Sequence, residues 1–125
     1  MNLGNVSDKT VPKMSLVAPA QVGGTICTRT FIPHRVHEAV GVLGAVSVAC
    51  ACVIPGSIAF DVAGGYLTTG VSNVEVEHPT GSFIIELDIE RQDDVTKIKR
   101  SSLLRTTRKL MDGNVFIPDD VWSRV

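Results

Sequence analysis

The chain has 125 residues, 44% hydrophobic and 20% charged, with a formal net charge of −1. That length suits one domain, and the near-neutral balance excludes both a charge-driven disordered chain and a basic nucleic-acid surface. Cys27, Cys50 and Cys52 form an odd set without metal-ligand spacing, which reads as free thiols in a reducing compartment. The opening residues lack the pattern of a secretory signal, so the expectation is a cytoplasmic protein.

Residues 1–12 are turn-rich and hold no packed element of their own. Lys13 to Pro19 and Gly24 to Ile32 read as two extended segments, the second rich in β-branched residues. Pro33 ends the strand and prepares a helix start. The spacing then predicts one long helix from about His34 or Val36 to Val53, stopped by Pro55-Gly56. Its Ala39 to Ile54 stretch is uncharged but shorter than the roughly 20 residues that cross a bilayer, so no membrane span is expected. Val and Gly are poor helix formers, so burial must hold this helix.

Gly64-Gly65 and the region to Ser72 read as a surface loop. Val74 to His78 alternates strictly, Pro79-Thr80-Gly81 turns the chain, and Ser82 to Glu90 alternates again, which makes a hairpin. Arg91 to Asp94 reads as a polar turn, Val95 to Thr106 as a further strand, and Val115 to Ile117 as a short last one after the Asp112-Gly113 turn. The fold class is therefore α+β: a curved, mostly antiparallel sheet wrapped around one central hydrophobic helix, in a single domain over residues 1–125.

The candidate site is a basic cluster, Arg29, His34, Arg35 and His37, placed by this reading at the first turn of the helix. Backbone N–H groups there have no intrahelical partner and the peptide dipoles add, so a carboxylate or phosphate is the natural ligand. His34 and His37 lack a third metal ligand nearby, so a zinc site is not expected. Lys13 reads as a solvated strand-end residue, and Asp93-Asp94 and Asp119-Asp120 as turn residues. The run Lys97, Lys99, Arg100, Arg105, Arg108 and Lys109 is balanced by acidic residues and lacks stacking aromatics, which argues against nucleic acid.

The segments LGNVSDKTVPK, GGTICTRTFIPHRVHEAVGVLGAVSVACACVIPG, VEHPTGSF and LLRTTRKLMDGNVFIP together resemble the C-terminal part of the PrpF family. That family includes 2-methylaconitate cis–trans isomerase, 4-oxalomesaconate tautomerase and methylitaconate isomerase. The resemblance implies a diaminopimelate-epimerase-like fold, in which two similar domains each wrap a sheet around a helix and face a common cleft. It also implies cofactor-independent proton abstraction and return on a small unsaturated di- or tricarboxylic acid.

What matches is only the last third or so of such proteins, with Met1 falling where they carry an internal methionine. The N-terminal domain with the usual proton-transfer Lys and Cys is missing, and Val36 stands where a Cys is common. The resemblance thus implies a substrate-binding half that contributes no catalytic acid or base, is inactive alone, and needs a partner domain or chain. The competing expectation is an inactive fragment or binding module. A pair of copies imitating the two-domain enzyme is the third arrangement, suggested by the fold's pseudo-symmetry.

Overall fold

The computed structural model describes residues 2–32, 34–65, 68–118 and 120–122. Met1, Pro33 and Asp119, each given a role above, lie outside the described residues. The elements in chain order are β1 (Met14–Pro19), β2 (Ile26–Ile32), β3 (Arg35–Val36), α1 (Val42–Cys52), α2 (Ile58–Val62), β4 (Gly70–His78), β5 (Gly81–Gln92) and β6 (Val95–Leu103). They make an α+β fold, one six-stranded open sheet ordered β1-β2-β4-β5-β6, with β3 paired to β2. All pairings are antiparallel except β2 with β4, which run parallel through Ile26↔Val76 and Cys27↔Glu77.

Period-two alternation decides which side of the sheet is dry. Ile26 on β2, Val74 and Val76 on β4, and Ile85, Leu87 and Ile89 on β5 all point to one face and are buried. Against them α1 lays Ala45, Val48, Ala49 and Cys52, a stripe with the spacing of one helical face. Fully burying each Val, Leu or Ile is worth about 1.5–3 kcal/mol, which outweighs the poor intrinsic propensity of this helix. The opposite face of α1 is left uncovered, and Leu43 on it is 81% exposed.

The C-terminal end of α1 is held by two side chains. Arg91, on β5, donates from Nη2 to the Val53 carbonyl at 2.9 Å and from Nε to Thr68 O at 3.2 Å. A cation on the last carbonyls matches the negative end of the helix dipole. Ser57 donates to Ala51 O at 2.6 Å and accepts the Phe60 N–H at 3.1 Å, so it ends one helix and caps the next.

Five features differ from the sequence reading. The helix begins at Val42, not at His34 or Val36, because residues 35–36 fold back on β2 and the His37 N–H goes to Thr30 O at 2.8 Å. The Arg91–Asp94 turn shrinks to Asp93-Asp94, with Arg91 inside β5. The loop after Gly65 is shorter, since β4 starts at Gly70. Residues 115–117 are no strand: they are exposed and have no backbone pairing among the described residues. The expected strand through Thr106 ends at Leu103, with one further backbone bond from the Leu104 N–H to Ile84 O at 3.2 Å. No described helix is long and apolar enough to cross a membrane.

Candidate functional site

The basic cluster divides between the two faces of the sheet. Arg29 pairs across from Leu16 and shares its side of β2 with Cys27, away from α1. Its Nη1 donates to Thr28 O at 2.7 Å and to Cys27 Sγ at 3.2 Å. His34, Arg35 and His37 lie instead in and beside the β2–β3 turn that leads into α1. The expectation that all four meet at the first turn of the helix is corrected: alternation along β2 sends Arg29 to the other side, and the helix starts five residues after His37.

The lead-in segment is fixed by its own hydrogen bonds. His34 Nε2 and Ser7 O stand 2.8 Å apart, which ties the N-terminal turn to this segment. The His37 main chain is held by Thr30 O, and its Nδ1 accepts the Ala39 N–H at 2.9 Å. With Nδ1 taken up in this way, Nε2 is the ring nitrogen left to donate. The Arg35 side chain is exposed, and its guanidinium makes no hydrogen bond or ion pair among the described residues. Gly41 caps α1 with backbone only, so the first N–H groups of the helix receive no side-chain acceptor.

Beside that first turn lies a hollow of about 490 Å³, lined among others by Lys13, Ser15, Thr30, Gly44, Ser47 and Ser57. Ser15 Oγ and Thr30 Oγ1 share a hydrogen bond of 2.7 Å in its wall. Lys13 is exposed, as a solvated strand end should be, and also lines this hollow. Thr30 thus contributes its hydroxyl to the hollow and its carbonyl to His37.

A second pocket, of about 270 Å³, opens on the opposite face and is lined by Cys27, Arg29, Glu75, Glu77, His78 and Ser82 together with the β1–β2 turn. Glu77 is the group sequence reading missed. Alternation placed it on a wet face, yet it is only 5% exposed. Its carboxylate accepts N–H groups from Gln21 at 2.7 Å, Val22 at 2.8 Å and Gly24 at 2.9 Å. These bonds, Gln21 and Gly24 foremost, hold the Glu77 carboxyl below the usual carboxylate range against the opposing effect of burial. A charged residue in a strand alternation gives no sign of which distant N–H groups will meet it.

The β4–β5 turn links the two regions. Thr80 donates its hydroxyl to Glu38 O at 2.8 Å, tying the turn to the segment before α1. His78 packs against Phe83 with ring centroids 5.2 Å apart. Burial first, and then the neighbouring His37 charge, push the His78 imidazole below its ordinary value. Among the described residues no group of three or more His, Cys, Asp or Glu stands close enough to hold a metal ion.

Fold and site together define an open α+β module with a hollow along α1 between β1 and α2, an uncapped helix N-terminus and a short basic lead-in. The chain belongs to the PrpF family: the family model described as PrpF protein matches residues 2–118. It is 53% identical over 118 residues to a (4E)-oxalomesaconate Delta-isomerase from Novosphingobium sp. (strain KA1), covering 94% of this chain and 32% of that protein. It is 48% identical over 125 residues to a 4-oxalomesaconate tautomerase from Pseudomonas putida, covering 98% of this chain and 33% of the relative. A 2-methyl-aconitate isomerase from Cupriavidus necator is 30% identical over 107 residues, covering 85% of this chain and 26% of the relative. The chain spans about a third of the length of the first two relatives.

Proposed function

We propose that this chain is the carboxylate-binding part of a cofactor-independent isomerase or tautomerase of unsaturated di- or tricarboxylic acids, with the rest of the cleft supplied by another domain or chain. The observation that carries this reading is membership of the PrpF family, with relatives near 50% identity named for isomerising or tautomerising oxalomesaconate.

The chemistry asks for fixed positive charge and a mobile proton. A C–H bond beside an activating carbonyl breaks, its electron pair moves into the conjugated system, and a proton is returned at another atom. The charge that develops on oxygen needs preorganised donors. His37 Nε2, the Arg35 guanidinium and the uncapped N–H groups of α1 are donors of the right kind. His34 holds the segment in place through Ser7. Arg29, on the far face, is outside this proposal. No side chain of this group combines a suitable position with the role of base, so acid and base come from the completing part. The two-domain, diaminopimelate-epimerase-like arrangement and a cytoplasmic location belong to the same proposal.

Kinetics of the completed enzyme test the assignment. Arg35→Ala and His37→Ala are expected to raise KM for oxalomesaconate or 2-methylaconitate by about tenfold or more, each lost charge-assisted bond being worth roughly 1.5–3 kcal/mol. Unchanged kcat and KM in both variants would remove these residues from the site.

A further inference from the structure

The two edges of the sheet are unlike. β6 is guarded by Lys97, Lys99 and Arg100, with Lys99 paired to Glu90 and Arg100 to Glu86. Charged side chains of this kind are how proteins stop an edge from pairing further. β1, MSLVAP, is the other edge and carries no charge. It pairs with β2 only, and Met14 and Leu16 stand 66% and 63% exposed on the face away from α1. On its other face lies the hollow, with Leu43 and Ile58 exposed. An edge without charge of its own, with Lys13 only at its start, beside a hollow of mixed apolar and hydroxyl lining offers a seat for another strand.

The same chain carries a segment with the matching need. Residues 105–117 leave the sheet from β6, at the edge opposite β1, and make no backbone hydrogen bond among the described residues. Leu110, Met111, Val115 and Phe116 are between 86% and 90% exposed. Val115-Phe116-Ile117 has strand composition, bounded by Gly113 and Pro118. On a strand, Val115 and Ile117 would face one way and Phe116 the other, as the two apolar faces of β1 require.

We propose that the β1 edge and its hollow receive residues 115–117 from a second copy of this chain, reciprocally, by strand addition. This rests on the two unpartnered features alone and is independent of the proposed activity. Each chain has one arm and one seat, so the stoichiometry closes as a two-fold dimer. At roughly 100 Å² per apolar side chain, two arms of three residues and an equal area of the edges they cover come to about 1,200 Å², the lower end of a stable interface.

Light scattering of the full chain after size exclusion, from nanomolar to high micromolar concentration, tests this. A discrete dimer is expected. Phe116→Asp on the arm and Leu16→Lys on the edge should each weaken it by about tenfold or more. Both residues are exposed, so neither change disturbs the core. As a second readout, Phe116→Cys and Leu16→Cys chains are mixed under mild oxidation, and a disulfide-linked heterodimer is expected. A monomer at every concentration overturns the proposal, as does a dimer that survives both charged variants or forms no such cross-link.

Discussion

Glu77 and Gly24 meet at a distance that only glycine allows. The Glu77 carboxylate accepts the Gly24 N–H at 2.9 Å, and a Cβ built on Gly24 would stand 2.8 Å from Glu77 Cγ and 3.2 Å from the Glu75 carbonyl. Backbone on one side and the stem of a pinned carboxylate on the other leave little room to yield. Gly24→Ala is therefore expected to destabilise the fold by about 1–3 kcal/mol, the usual cost of overpacking, read as a lower urea midpoint with unchanged slope.

The same carboxylate sets an acid limit. Its folded-state pKa is depressed, so the stability it contributes is present above the unfolded value, about 4.3, and is lost as pH falls through the folded one. Thermal melts should show stability falling as pH drops below that value. Glu77→Gln should lower the melting temperature at neutral pH and flatten this acid slope. A variant with the slope intact would contradict the role given to Glu77.

His78 titrates in a different window. Its folded pKa is lowered, so the unfolded chain binds the proton more readily, and stability declines as pH falls below the ordinary histidine value of about 6.5. Proton NMR should place the His78 midpoint below that of a free histidine. His37→Gln removes the neighbouring charge and should move the midpoint up, while burial keeps it below the free value.

Arg91, a turn residue by sequence pattern, ties β5 to the end of α1. Arg91→Ala leaves the Val53 and Thr68 carbonyls without that donor. A loss of about 1.5–3 kcal/mol in urea unfolding is expected, as for hydrogen bonds from a charged group. Leu87, fully buried between the sheet and α1, should cost about 2–5 kcal/mol as Leu87→Ala.

How far the sequence could be read depended on where each signal was stored. Strict alternation in Val74–His78 and Ser82–Glu90 is a property of the residues themselves, and both strands stand where it pointed. The start of α1 is decided otherwise. His34-Arg35-Val36 suits a helix start by local rules, but the Thr30 carbonyl takes the His37 N–H, and Gly41 becomes the cap. The five-residue α2 is too short to show a period. Val115–Ile117 has strand composition, yet a strand needs a neighbour, and none is present within the described residues.

The basic cluster was legible as residues but not as a place. Arg35 and His37 remain together because they are adjacent in the chain, whereas Arg29 is carried to the other face by one step of β2. Glu77 was invisible because its partners lie more than fifty residues away, in the β1–β2 turn.

The most direct test of the central claim is reconstitution. The purified chain is combined with the N-terminal two-thirds of the Pseudomonas putida relative, and turnover of oxalomesaconate is followed by ultraviolet absorbance. No turnover is expected from either piece alone, and turnover is expected from the pair. Turnover by this chain alone, or none from a folded and associated pair, would contradict the claim.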